Sequence, residues 1–464
     1  MWVTTDSAFP VKRLYLNLTG KAEENDLGME YDFRFLTRER AESEEDHSTH
    51  WFPVSKILHM DGGIDIFKYV QLHQLTADEF AYSMLDDLRR LVHEKTLINF
   101  YEEDSEDLDK VLNIFIRVNS GGVSLSHSDL LLSIATTQWT EVEAREVVHN
   151  LVDEMNQTGK QFSFNKDLVL KAALLLADIE SIAFKVTNFN VENMNVIQDR
   201  WGGIADSLKL AVRLLAVFGL SARTLTANSV LLPVAYYLHH RKLGKQYLLS
   251  TGDMSDRELI RTWTIRSLLK SGIWGSGLDT LLRNLRTTIR EHGETGFPIV
   301  QLEDTMARSG KSLRFEEAEF QDLLTLQFGD RRTFLALSLL YPGMDFRNEF
   351  HLDHIFPRSL FNHPNLEALG LDPADRESAI TSCNRICNLQ LLECPINAAK
   401  RATLPASWIE SRFPETSARE SYRLRHDLGE LPGELSQFRT FCATRETRIA
   451  DRFRELLGVP QTHL

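Results

Sequence analysis

The sequence predicts an α+β fold that is mostly helical, and three features of its 464 residues predict it. Apolar residues recur at three- and four-residue spacing from about Thr76 to about Leu340. Short strand-like pieces are confined to the opening segment. Beyond about Gly343 the texture changes to strand, polar loop, strand, and then helices to the end.

The bulk properties set outer bounds. With 43% hydrophobic and 25% charged residues, the composition is that of a globular chain long enough for two or three cores. No apolar run reaches the ~18–20 residues that span a bilayer. The longest candidate, Val230–Leu238, stops at His239, His240 and Arg241. Met1–Asp6 has neither the basic start nor the apolar core of a signal peptide. The four cysteines, Cys383, Cys387, Cys394 and Cys442, suit reduced thiols. A cytoplasmic location is expected. A net charge of −14 opposes bulk attraction to nucleic acid. Residues 331–464, however, hold 17 basic and 17 acidic side chains, and 16 of the basic ones are arginine. A local phosphate site is therefore allowed there.

Three regions follow in order. Residues 1–70 carry strand-like Arg13–Leu18 and Tyr31–Leu36 around charged loops such as Glu39–His47, and His47 and His50 are read as loop residues. No partner strand precedes Arg13. Strands need partners, so this region reads as the remainder of a larger module. Residues 71–330 read as a helical domain, with periodic segments at Asp86–His93, Leu108–Arg117, Leu208–Leu215, Leu259–Leu269 and Phe320–Leu326. Its long connection is placed around Glu180–Asn195, and His239-His240 marks a polar helix end. In Asn119-Ser120-Gly121-Gly122, the backbone N–H groups can cradle a phosphate. Alternatively Gly121 or Gly122 ends a helix, with Ser126 and Asp129 capping the next. Arg117 can pair with phosphate or with the acidic run Glu102–Asp107.

The third region, 331–464, holds the densest chemistry. Phe350–His354 reads as a strand stopped by Pro357, a capped helix starts at Asp372, and Ile386–Leu392 reads as a second strand. Pro395 then suits the first turn of a helix bearing Asn397, Lys400 and Arg401. Hydrolysis of a phosphodiester needs a base, a cation and phosphate donors. His354 titrates near neutrality and can be the base. Asp353 and Asn397 offer hard oxygens, the donors that select Mg²⁺ or Mn²⁺. Lys400 and Arg401 share the helical face of Asn397 and can grip phosphate. His351 shares the strand face of Asp353, as a phosphate or metal ligand or as a structural residue. Adjacent strand residues point to opposite faces, so Asp353 and His354 share a site only if the strand bends.

Asp353-His354-Ile355 before Pro357, then Asn388, then Asn397 ahead of Lys400 and Arg401, resembles the HNH (ββα-metal) nucleases. It is most similar to the H-N-N subtype of RNA-guided nucleases and GmrSD-type restriction enzymes. The resemblance implies His354 as base, Asp353 and Asn397 as metal ligands, and Asn388 as the residue that orients the base or its loop. Upstream, Ile114–Ser126 resembles the F-x-R-x-N-S-G-G-x-x-L-S signature of the ParB-like module of the GmrSD family, with Arg117, Asn119, Gly121 and Gly122 in the motif. Together the two imply a metal-dependent endonuclease that cuts DNA in restriction of foreign or modified DNA. The module's D-G-Q-Q-R motif is absent from residues 1–464. GTP or ATP hydrolysis is therefore not expected of this chain alone, and a protein partner or further N-terminal segment is expected to complete the module. Two rivals stand beside this reading. One is a non-cleaving regulatory or DNA-sensing remnant of a restriction system. The other is a zinc hydrolase built on His351, Asp353 and His354; zinc on Cys383, Cys387 and Cys394 lacks paired CxxC spacing.

Overall fold

The computed structural model describes residues 11–21, 31–46, 49–96, 143–341, 344–346 and 348–459, with positions 110, 114, 132 and 139. Arg117, Asn119, Gly121, Gly122, Ser126 and Asp129, with most of the predicted Leu108–Arg117 helix, lie outside the described residues. The chain is α+β and mostly helical, with small antiparallel sheets. It divides into two compact units, Met1–Asp104 and Ser105–Leu464.

In the first unit, β1 (Arg13–Lys21) is the central strand, with β2 (Tyr31–Leu36) and β3 (Trp51–Pro53) antiparallel on either side. Helix α1 (Arg38–Ser43) connects β2 towards β3, and α2 (Gly63–Leu72) and α3 (Glu79–His93) follow. The expectation that β1 lacks partners is corrected: both lie downstream of it. Strand alternation sends Leu16 and Leu18 to one face, where Phe52, Ile66, Val70, Met84 and Leu85 close over them. Tyr15 packs with Leu36, Ala41 and Trp51. This unit runs to Asp104 rather than to residue 70, because α3 packs on the sheet and carries Ala81, Met84 and Leu85 into its core.

The second unit begins, among the described residues, with α4 (Ala144–Asn156), α5 (Lys166–Leu176), α6 (Val191–Val217) and α7 (Leu231–His240). There follow α8 (Met254–Leu269), α9 (Leu278–His292), α10 (Ile299–Arg308), α11 (Glu317–Leu324) and α12 (Arg331–Leu340). The apolar run at Val230–Leu238 is the centre of this assembly: Leu231–Leu238 are all buried. A helix that is apolar all round is stable only when enclosed. No described helix is long and apolar enough to cross a membrane. The expected long connection around Glu180–Asn195 is shorter, because Asn190 caps α6 through the amide of Asn193, 2.9 Å away. At the other end of α6, Gly219 has φ +80° and sits against Phe334 and Phe346. A side chain there would be strained and crowded.

The C-terminal part pairs β4 (Phe350–His354) antiparallel with β5 (Leu389–Glu393). Between them lie α13 (His363–Ala368) and α14 (Pro373–Ser382), the latter capped by Asp372 as predicted. After β5 come α15 (Cys394–Lys400), α16 (Pro405–Arg412), α17 (Thr416–Arg425) and α18 (Phe438–Leu457). Ile355, Phe356, Leu392, Trp408, Tyr422 and Phe441 belong to a second core. Helix α18 joins the two cores, since Phe438 and Phe441 enter the second and Ile449, Phe453 and Leu457 the first. Residue 331 is thus no break in packing. At this seam the buried guanidinium of Arg445 donates to the carbonyls of Ile386, Cys387 and His426 and to Tyr341 Oη. His426 stacks on Tyr422, and burial beside Arg445 pushes its imidazole down to about 3.

A pH dependence follows. Folded His426 stays neutral down to about pH 3, while the unfolded chain protonates it below about 6.5. Stability from this group is full above about pH 6.5 and is lost as pH falls towards 3, to an extent on the order of 5 kcal/mol. Urea unfolding between pH 7 and 4 should show this slope, and His426→Phe should flatten it.

Candidate functional site

Strand β4 presents two chemically different faces. Phe350 and Leu352 pack on the large helical core and His354 shares their face, whereas Asp353 lies on the other face with the exposed His351. The β4–β5 register stays regular through the pair Asp353–Gln390 and on to His354–Leu389. The strand does not bend, so Asp353 and His354 point apart.

On the first face, the His354 ring lies 4.8 Å from that of Phe328, and Nε2 is 3.0 Å from Asn384 Oδ1. If Nε2–H donates to that amide oxygen, Nδ1 carries the free lone pair. Burial lowers the His354 pKa, opposed by the Asn384 hydrogen bond and by Asp353; Arg358 and Lys400 lower it further. The imidazole is held neutral near pH 7, the state a general base needs. Asn384 is fixed in turn, because its carbonyl accepts from the Phe328 amide at 2.8 Å, and Ile386 N–H donates to Leu326 O at 2.8 Å. Segment 326–328 thus runs beside 384–386. Arg358, exposed just past Pro357, has no ion-pair partner among the described residues.

The second face is a closed polar network. Asp353 is 8% exposed, and its Oδ2 accepts from Lys400 Nζ at 2.6 Å and Gln390 Nε2 at 2.7 Å. Lys400 is 1% exposed and also donates to His354 O. Tyr422 Oη donates to Gln390 Oε1 at 2.7 Å. Burial lowers the Lys400 pKa, and Asp353 opposes that shift.

The expected site residues therefore separate. Lys400 is corrected as a phosphate ligand: it is buried, and its ammonium neutralises Asp353. Arg401 does not share its face. The helix ends at Lys400, and Arg401 turns off with φ +49°, exposed. Asn388 lies in a short 3₁₀ turn ahead of β5, not within the strand. It is fully buried; its Oδ1 accepts from Phe356 N at 2.9 Å, and its Nδ2 donates to Phe356 O at 3.1 Å and Cys383 O at 2.8 Å. It pins the loop after β4 and makes no described hydrogen bond with the His354 ring. Asn397 is half-buried on α15, with no side-chain hydrogen bond among the described residues. His351 stands exposed where its face opens to solvent, with Nε2 3.3 Å from Glu349 Oε1 and Cys394 nearby. Asn384 and Arg358 are the residues that sequence reasoning missed. The available signals were a second Asn one turn before Asn388 and an arginine directly after the Asp353–Pro357 run.

The donor set does not fit a hard cation as it stands. Asp353 Oδ2 already accepts from Lys400 and Gln390, and the buried ammonium beside that carboxylate repels a divalent ion. The chain matches no protein-family model and no curated protein.

The ion pair sets a stability test. Lys400→Met leaves a buried carboxylate without its counter-charge and should cost roughly 3–5 kcal/mol, whereas Lys400→Met with Asp353→Leu should recover most of that loss. Chemical unfolding of the two single variants and the double variant measures the coupling.

Proposed function

We propose that the C-terminal part of this chain hydrolyses phosphodiester bonds in DNA, with His354 as the base that takes a proton from water. The observation that carries this reading is His354 itself. Its ring is fixed by Asn384 and Phe328 and kept neutral by burial, at the end of a strand pair followed by a helix. Arg358 is the arginine that would meet a phosphate beside it, since it is exposed and close enough to lower the imidazole pKa. The motif resemblance to HNH enzymes of GmrSD type supports DNA as substrate and restriction of foreign or modified DNA as the setting. Mg²⁺ or Mn²⁺ belongs to that resemblance. With the Lys400–Asp353 pair closed, no step is assigned to either ion.

A second reading is favoured by one specific observation. The closed pair withdraws Asp353 from metal ligation, which suits a non-cleaving regulatory or DNA-sensing remnant.

Purified chain incubated with modified and unmodified duplex DNA, with Mg²⁺, Mn²⁺ or EDTA, separates the two. The nuclease reading expects strand scission that falls roughly 10²–10⁴-fold in His354→Ala. Activity should rise with pH through a midpoint below about 6.5, since the base must be deprotonated and burial lowers its pKa. DNA binding without scission in any condition would select the sensing reading.

A further inference from the structure

The first unit holds a ligand cluster that the nuclease-like site does not use. His50, read from sequence as a loop residue, is only 7% exposed. Its backbone is locked to β1: its N–H donates to Thr19 Oγ1 at 2.9 Å, and its carbonyl accepts from Leu18 N at 2.9 Å. Its ring has a partner at each nitrogen. Nδ1 lies 2.5 Å from Glu45 Oε1, and Nε2 lies 3.0 Å from Tyr69 Oη. His73, at the C-cap of α2, brings its ring to 4.8 Å from that of His50 and 4.3 Å from that of Tyr69. One ligand atom from each of Glu45, His50 and His73 falls within 4.8 Å of the others.

We propose that Glu45, His50 and His73 bind a zinc-class dication that clips the loop between α1 and β3 to the end of α2. Two imidazoles and one carboxylate form the three-ligand set that zinc takes with water in the fourth position, and imidazole favours Zn²⁺ over Mg²⁺ or Ca²⁺. Tetrahedral zinc at ~2.0–2.1 Å from each ligand sets its donors about 3.3 Å apart. The three ligand atoms now lie within 4.8 Å of one another, and Glu45, in a loop and 43% exposed, has room to turn its carboxylate towards an ion between them. His50 would ligate through Nδ1, the nitrogen facing Glu45, while Tyr69 holds Nε2. A hydrogen bond at the far nitrogen is how metal-bound histidines are oriented. The opposing charge is Lys56, whose ammonium is 5.4 Å from the centre of the Tyr69 ring. Its residue is exposed, so the chain can swing into solvent.

The test uses the full chain carrying His351→Ala, which removes the separate Glu349/His351/Cys394 group as a competing ligand set. The protein is stripped with chelator, reloaded with Zn²⁺ or Co²⁺ and desalted. Metal per chain is read by mass spectrometry and the cobalt ligand field by visible absorption. The expected result is one metal per chain, a nitrogen-ligated cobalt spectrum, and a higher melting temperature in the loaded form. His73→Ala, at a half-buried surface position, should abolish retention, and Glu45→Gln should weaken it about tenfold or more. Should apo His73→Ala melt below its parent, Glu45→Gln decides the matter alone. No retained zinc at micromolar free metal, or retention unchanged by either substitution, overturns the site. DNA scission is not a readout here, so this result stands apart from that of the nuclease assay.

Discussion

A lysine ammonium leaves water only if something replaces its hydration, and Lys400 has Asp353 Oδ2 and the carbonyl of His354 to do so. The pair joins β4 to α15, Gln390 adds β5, and Tyr422 adds α17. Trp408 lies alongside, its ring 5.8 Å from the ammonium. Four elements are thus tied into one hydrogen-bonded network around this carboxylate. Removing either charge strands the other in the second core, so these elements are fixed relative to one another by electrostatics as much as by apolar contact. Lys400 is the single lysine among residues 331–464.

This constraint shapes what the neighbouring histidine can do. Because β4 is regular, anchoring Asp353 inwards turns His354 to the opposite face, where Phe328 and Asn384 receive it. Asn388 acts one step further back by gripping both polar backbone atoms of Phe356. The chain's path after β4, and with it the place of Arg358, is set by that amide. The face that carries the His354 ring and the face that carries the Asp353 carboxylate share a strand and point apart.

The same logic recurs in the first unit at smaller scale. A strand partner fixes the backbone of His50, a tyrosine fixes its ring, and the remaining nitrogen meets a carboxylate. In both places the burial of a polar side chain is accompanied by hydrogen bonds from groups on neighbouring elements.

Local pattern was sufficient for much of this. Three- and four-residue spacing located the helices because a helix buries one stripe. Asp372 and Pro395 marked helix starts because caps are satisfied within a few residues. The Asp353–Pro357 run followed by Asn388 and Asn397 marked the strand–loop–strand–helix segment, and strand pleating already warned that Asp353 and His354 diverge. What remained hidden depends on partners far along the chain. The sequence could not show that Lys400 turns inward to Asp353, 47 residues away, because the helical wheel gives a face and not what covers it. It could not show that Asn384 rather than Asn388 meets His354, since two asparagines four residues apart differ only in the tertiary path of the turn between them. Nor could it show that β1 is central, or that His50 is buried beside His73. Pairing and enclosure are properties of the packed chain, decided by which surfaces meet once the local elements have formed.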